Sequence, residues 1–318
     1  MKENKEKPKI AVIIACYNEE VTVGKVVKDF KSVLPDSIIY VCDNNSSDKT
    51  AEKAKDAGAI VVHEKRQGKA HAVKRLFREV EADYYIMVDG DDTYDASVAQ
   101  DMLKLAIDYN YDLVNCIRNE VSENSNVYPA GHKFGNRLLT GMVKIIFGSL
   151  VEDVLSGYKV LSRRFVKSFP ILSVGFDIET EIAINALELE LPISHVKGNY
   201  KSRPAGSNSK LRTFKDGFCI LLLILSLLKH ERPLQLFGFI SIVFFIVSLA
   251  LGVPVILEYI HTGLVRRFPT AFLSMGIMLL SFFSISTGII LDTVTRGRKE
   301  MRMLVYLQVG TLRNETQH

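Results

Sequence analysis

Between Leu234 and Thr295 the chain carries only four formally charged side chains in 62 residues: Glu258, Arg266, Arg267 and Asp292. The other 256 residues hold 72. A uniform water-soluble globule does not distribute charge in that way, because its surface needs polar groups along the whole chain. Two apolar stretches account for the depletion, Leu234–Ile260 and Thr270–Leu291. As helices rising about 1.5 Å per residue they extend roughly 40 and 33 Å, enough to cross a hydrocarbon core of about 30 Å. Gly252 and Pro254 fall inside the first and offer a kink that absorbs surplus length. The chain therefore reads as a soluble part followed by a two-span membrane hairpin.

Lys229, Arg232, Arg296, Arg298, Lys299 and Arg302 flank the hairpin, whereas only Arg266 and Arg267 lie in its connecting loop. The positive-inside bias then predicts that the soluble part and both termini are cytoplasmic, with the hairpin in an inner or plasma membrane. Ahead of the first span, Lys210–Leu228 has an uninterrupted apolar part, Phe218–Leu228, of 11 residues. At roughly 16 Å it is too short to cross, and it follows Lys210, Arg212 and Lys215. An interfacial amphipathic helix is expected there; a core helix of the soluble part is the alternative.

The net charge of +4 conceals the same division. Residues 211–318 have 11 basic and 6 acidic side chains, and residues 1–210 have 29 and 30. That balance excludes a disordered tail protein and a bulk-basic nucleic-acid binder. Cys16, Cys42, Cys116 and Cys219 form no CxxC or zinc-like spacing; the first three lie in or just after apolar runs, so buried, reduced thiols are expected there, as in a reducing compartment. The start, MKENKEKPK, has no apolar core of a signal peptide, so none is predicted.

Within residues 9–200, Ile10–Ala15, Ile38–Cys42, Ala59–His63, Tyr84–Asp89 and Asp112–Ile117 read as strands. Val23, Val26, Val27 and Phe30 recur at i, i+3, i+4, i+7, the spacing of an amphipathic helix. Further helices are expected from Thr50 to about Gly58, with Asp48 as N-cap, and over Gly68–Val80 and Ala96–Tyr109. Strand–helix alternation predicts a mainly parallel sheet with helices on both faces, whose ligands gather beyond the carboxyl ends of the strands. Those ends are polar: Cys16–Glu20 after the first strand, Asp43–Thr50 after the second, and Asp89-Gly90-Asp91-Asp92 after the fourth. A DxD on a strand end holds two carboxylates on a short backbone. Such hard oxygen donors suit Mg²⁺ or Mn²⁺, with remaining ligands from a diphosphate and water. A lone DxD recurs in solvated turns; here the strand context and its two polar neighbours favour a site. His63, His71, His132 and His195 form no HxH or HExxH pattern.

The series ACYNEE, CDNNSSDKT, RQGKAHA, MVDGDD, Arg118, DVLSGYK and RPAGSNSK resembles glycosyltransferase family 2 over roughly residues 9–215. It is most similar to the branch containing dolichyl-phosphate mannose synthase and bacterial polyprenyl-phosphate glycosyltransferases. The resemblance implies an α/β fold of the GT-A type, a nucleotide-sugar-binding domain with a mainly parallel sheet. It also implies an organisation: a polar tail at 1–8, a catalytic domain at 9–205, a juxtamembrane helix region at 206–232, a two-span hairpin at 233–292 and a basic cytoplasmic tail at 293–318.

By the same resemblance, Tyr17 and Glu19 match the donor-binding YNE, Asp43 a residue that contacts the base or ribose, and Lys69 a neighbour of the nucleotide. Asp89 and Asp91 match the metal-binding DxD, and Arg118 an arginine facing phosphates. Arg137 falls on the acceptor side, Asp153 and Ser156-Gly157 match the acceptor loop, and Glu181 a glutamate behind it. Arg203 and Lys210 resemble residues that hold phosphate near the membrane. Departures are Ala15 for a proline, Asn44 for a second acidic residue, Thr93 for a glutamine, and one extra residue between Arg203 and Lys210. The absence of Q-x-x-R-W disfavours a processive polysaccharide synthase.

The implied activity is one inverting displacement, from a UDP- or GDP-linked sugar to the phosphate of an undecaprenyl or dolichyl carrier, with Mg²⁺ or Mn²⁺ as cofactor. A phosphate acceptor is already anionic and needs positioning cations rather than a base; Lys201, Arg203, Lys210, Arg212 and Lys215 supply five within 15 residues. Asp153 would then orient the loop. A hydroxyl acceptor, with Asp153 as base, and a non-catalytic nucleotide-sugar scaffold are the alternatives. Self-association through the hairpin is compatible with the pattern, and no nucleic-acid partner is expected.

Overall fold

The computed structural model describes residues 7–120, 141, 153–171, 178–201, 229 and 232–310. The chain divides into two compact units, Phe218–Met301 and the remainder, Met1–Gly217 with Arg302–His318. Arg137, Arg203, Lys210 and the whole of the 210–228 segment lie outside the described residues.

In the larger unit one sheet has the order β3-β2-β1-β4-β6-β5-β7. Its strands are β1 (Ile10–Cys16), β2 (Ile38–Asp43), β3 (Ile60–His63), β4 (Tyr84–Asp89), β5 (Leu113–Glu120), β6 (Lys159–Ser162) and β7 (Ile193–Tyr200). Pairings are parallel except at β6, which runs antiparallel to β4 and β5. Helices α1 (Val23–Val33), α2 (Thr50–Asp56), α3 (Lys69–Glu79), α4 (Val98–Asp108), α5 (Arg163–Ser168) and α6 (Ile178–Glu188) complete the described part of the fold.

Near-continuous apolar runs form the central strands because both faces of the sheet are covered. Successive residues alternate between two cores. Ile13, Tyr85, Met87 and Leu113 join one with Leu76 of α3; Val12, Ile14, Ile86 and Val88 join the other with Val27 and Phe30 of α1. The helical face read at Val23, Val26, Val27 and Phe30 is the buried one. The N-cap of α2 is Lys49 rather than the expected Asp48, which stands one residue earlier and accepts the Thr50 N–H at 3.0 Å.

Two strands lie outside the five that apolar runs indicate. β6 has four residues and opens on a lysine, and β7 (ISHVKGNY) is mostly half-exposed, so neither shows a strong period. Both owe their place to tertiary pairing.

The smaller unit contains α7 (Pro233–Thr262) and most of α8 (Phe268–Gln308), each long and apolar enough to cross a membrane. Ser241 and Ser281 exchange hydrogen bonds, each hydroxyl donating to the other's carbonyl at 2.9 Å. Ser248 Oγ donates to the Ser274 carbonyl at 2.7 Å. Hydroxyls satisfied in this way hold two helices together where apolar contact alone gives little preference over lipid.

Helix α8 continues well past Leu291, and from Arg302 its residues belong to the larger unit. Arg302 Nη1 donates to Asn185 Oδ1 and Glu188 Oε2, both at 2.6 Å. The Tyr306 hydroxyl donates to Asp112 Oδ2 at 2.7 Å, under the Arg164 guanidinium. Arg163 Nη1 meets the Gly310 carbonyl at 2.7 Å.

Candidate active site

The parallel register brings the acidic strand ends together. Cys16 of β1 pairs with Asp43 of β2, and Ala15 pairs with Asp89 of β4. The turns beyond are strained: Asn18, Asn45, Asp92 and Asp153 have φ of 54°, 61°, 57° and 50°. Non-glycine residues persist there only when their surroundings over-determine them. Those surroundings are hydrogen bonds between turns. The Asn18 N–H donates to Ser46 Oγ at 3.0 Å, and Asn18 Oδ1 accepts from the Ser47 N–H at 2.8 Å. The Glu19 N–H donates to Thr50 Oγ1 at 2.8 Å, and Thr22 Oγ1 to the Gly90 carbonyl at 2.7 Å. Gln67 Nε2 donates to the Tyr17 hydroxyl at 3.2 Å. Asp43 accepts the Ser46 N–H at 3.2 Å and stands 3.3 Å from His63 Nδ1.

Asn44 explains its own departure from the acidic pattern. Its Nδ2 donates to the carbonyls of Arg66 (2.6 Å) and Glu64 (3.2 Å), and its Oδ1 accepts the Gly68 N–H at 2.7 Å. A carboxylate has no proton for those carbonyls. Asn44 thereby holds the 64–68 turn that starts α3 and aims Lys69, which reaches the carboxylates of both Asp89 and Glu179. Burial disfavours the Lys69 ammonium, but the two carboxylates outweigh it and raise its pKa above the usual range.

Asp91 is buried, with Oδ1 accepting from the Thr93 hydroxyl at 2.6 Å, so Thr93 orients the carboxylate. Gly90 gives space to a side chain of the protein itself: an added Cβ would lie 2.4 Å from Cys16 Sγ. Among the described residues no three acidic, His or Cys side chains gather into a closed metal cage. Asp89 and Asp91 are two hard donors, which fits a divalent cation that takes its other ligands from a diphosphate and water.

On the opposite flank Asp153 and Arg118 form a bidentate pair. Nε donates to Oδ2 at 2.7 Å, Nη2 to Oδ1 at 2.6 Å, and the Arg118 N–H to Oδ2 at 3.1 Å. Burial pushes the Asp153 carboxyl up; the guanidinium more than reverses this and holds it below the ordinary carboxylate range. Arg118 also lies over the Tyr200 ring, whose edge meets Tyr94. The Tyr94 hydroxyl accepts the Gly157 N–H at 2.8 Å. Ser156 is fully buried and accepts the Tyr158 N–H at 3.3 Å.

Asp43 and Asp89 thus end β2 and β4, Tyr17, Glu19 and Asp91 follow strand ends, Lys69 opens α3, Arg118 lies in β5, and Asp153 and Ser156 are on the loop that leads into β6. Arg118, read as facing phosphates, is paired with Asp153. Glu179, which the motif matches do not include, is buried on Lys69. It lies on α6, buried at ten of its eleven residues, where a charge must find a partner. Lys159 and Asn115 were missed altogether.

The sheet order and the acid-bearing strand ends are those of the GT-A fold. Glucosyl-3-phosphoglycerate synthase from Mycobacterium tuberculosis, solved with Mn²⁺ and uridine-diphosphate-glucose, shares this fold. It matches with a TM-score of 0.55 at 20% identity, over 70% of this chain and 79% of that one. The model of glycosyl transferase family 2 matches residues 11–169, and the chain belongs to that family. An uncharacterized protein of Shigella flexneri is 53% identical over 154 residues, 48% of this chain and 94% of its own length. The glycosyltransferase AglJ of Haloferax volcanii is 29% identical over 302 residues, 94% of this chain and 98% of that protein. A dolichyl-phosphate hexose transferase of the same organism is 26% identical over 223 residues, 70% of this chain and 95% of its own length.

Proposed function

We propose that this glycosyltransferase moves a sugar, with inversion, from a UDP- or GDP-linked donor to the phosphate of a membrane polyprenyl phosphate. The observation that carries the reading is the Asp153–Arg118 pair. The carboxylate beside the acceptor loop is locked on both oxygens and held low in pKa, which makes it a poor general base. A hydroxyl acceptor would need its proton removed; an anionic phosphate does not. The two apolar helices and the kinship to a dolichyl-phosphate hexose transferase support the same acceptor.

In this reading a phosphate oxygen of the lipid attacks the anomeric carbon, and the bond from that carbon to the donor's diphosphate breaks. Tyr17, Glu19 and Asp43 hold the nucleoside. Asp89 and Asp91 would hold Mg²⁺ or Mn²⁺, which would supply Lewis-acid neutralisation of the diphosphate. Lys69 meets the charge on the leaving diphosphate, and Arg118 the acceptor phosphate. Arg137, Ser156, Arg203 and Lys210 complete the acceptor side, with 206–232 as an interfacial helix and both termini cytoplasmic.

The test is a panel of nucleotide sugars offered to the full chain with short-chain polyprenyl phosphate and either metal, read by the mass of the lipid product. One added sugar on the lipid phosphate is expected. Transfer to soluble hydroxyl acceptors alone overturns the reading.

A further inference from the structure

Lys159 is fully buried, and none of the roles above uses its charge. A lysine at such a place costs desolvation that an apolar side chain would avoid, so packing alone does not account for it. Its surroundings do. Lys159 and Asn115 are register partners on β6 and β5. Lys159 Nζ donates to Asn115 Oδ1 at 2.7 Å and lies 3.5 Å from the Val154 carbonyl. Asn115 Nδ2 in turn donates to the Asp153 carbonyl at 3.1 Å. An unbroken chain of hydrogen bonds therefore runs from a buried ammonium to the backbone of Asp153, the residue whose left-handed φ and bidentate hold on Arg118 shape the loop.

The charges around Lys159 come from every side of this region. Glu179 on α6 and Asp153 favour the ammonium; Arg118 on β5 and Lys69 on α3 oppose it, and the Cys116 thiol lies close by. Burial brings its pKa down to about 8. Lys159 thus lies between the Lys69–Glu179 pair of the donor side and the Arg118–Asp153 pair of the acceptor side.

We propose that Lys159, acting through Asn115, is a positioning residue that holds the 153–157 loop and so sets Arg118 for an anionic acceptor. The inference rests on the reading of that loop as the acceptor side. Asn115→Asp tests it cleanly, because the carboxylate still accepts from Lys159 but has no N–H for the Asp153 carbonyl. Lys159→Met removes the charge at similar length.

Both variants are prepared as full chains and compared by hydrogen exchange and by steady-state transfer to short-chain polyprenyl phosphate. Faster exchange at the loop amides, with β1 and β4 unchanged, is expected in both. So is a rise of about tenfold or more in acceptor KM with donor KM within about twofold. Unchanged loop exchange in Asn115→Asp, or equal loss on donor and acceptor, overturns the proposal. If the loop loosens but the unaltered chain makes no lipid product, the positioning role stands and the acceptor reading falls.

Discussion

Gly157 lies against the carboxylate of Asp89: a Cβ on the glycine would fall 2.3 Å from Asp89 Oδ2 and 2.9 Å from its Cγ. In the proposed reading the donor and acceptor halves of the site therefore share a wall, and the small residue of the SG pair is demanded by the strand that carries Asp89 rather than by its own loop. Gly157→Ala must displace either Asp89 or the loop. A shift near 1 Å at a reacting centre costs up to about a hundredfold in rate. A fall of that order in kcat/KM is expected, with membrane insertion unchanged by fractionation. Wild-type activity in this variant would show that Asp89 works in another position.

Whereas Asp89 meets the Lys69 ammonium, an oxygen of Asp91 accepts from the Thr93 hydroxyl, which orients it. Asp91→Asn keeps shape and the Thr93 contact while removing the charge a divalent cation needs. Transfer should be lost and excess Mn²⁺ should restore little. Thr93→Val, which frees the carboxylate to rotate, should instead weaken apparent metal affinity by roughly tenfold, as outer-sphere partners of ligands commonly do. Full activity of Asp91→Asn removes Asp91 from the metal site.

The elements built on strong periods were legible in the chain. The β1 run IAVIIAC is buried almost throughout, and the Val23–Phe30 spacing marks the face α1 buries. What escaped was decided by distant partners. β6 begins with a lysine whose burial depends on Asn115, and Glu179 is a site residue because α3 delivers Lys69 to it. A glycine between two acidic residues suggests room for a ligand, but at Gly90 that room is filled by Cys16. Local pattern carries the period of an element but not the identity of the atom that meets each side chain.

Asn44 permits an isosteric test of loop placement. In Asn44→Asp two donors facing the Glu64 and Arg66 carbonyls become acceptors, leaving buried groups repelled and unsatisfied. A loss of about 1–3 kcal/mol in stability is expected. Because the turn leads into Lys69, donor KM should rise more than acceptor KM. Equal donor and acceptor KM to the unaltered chain would confine Asn44 to a structural role.

The Asp153 carboxyl has a folded pKa below its ordinary value of about 3.9, so its contribution to stability is present above that pH and lost as pH falls through the folded value. Between pH 5 and 8, a range spanning about three units above that value, this pair should leave the melting temperature flat. Arg118→Met leaves Asp153 buried without its cation, a change that costs about 3–5 kcal/mol at neutral pH. The sign then reverses: the unpaired carboxyl has a raised pKa, so the variant should regain stability on acidification from pH 7 towards 5. A variant whose melting temperature ignores pH across that range would mean the pair contributes nothing.

The last turns of α8 bring the final argument. Tyr306 places its hydroxyl on Asp112, a carboxylate with no exposed surface that also accepts from Ser162. Burial and the Asp112 carboxylate both push the phenol pKa up, so the proton stays on Tyr306 through the physiological range. Tyr306→Phe removes one hydrogen bond to a buried charge, worth about 1.5–3 kcal/mol. Arg302→Met strips Glu188 and Asn185 of their shared donor, with a cost of similar order for the Glu188 carboxylate. Arg302 and Tyr306 are one helical turn apart on α8 and fasten the same segment, so their effects should couple rather than simply add. Both should lower the denaturation midpoint of the catalytic unit, although neither lies at the strand ends that carry the site. If the midpoint of the double variant equals that of the unaltered chain, the C-terminal turns are not part of the folded catalytic unit in solution.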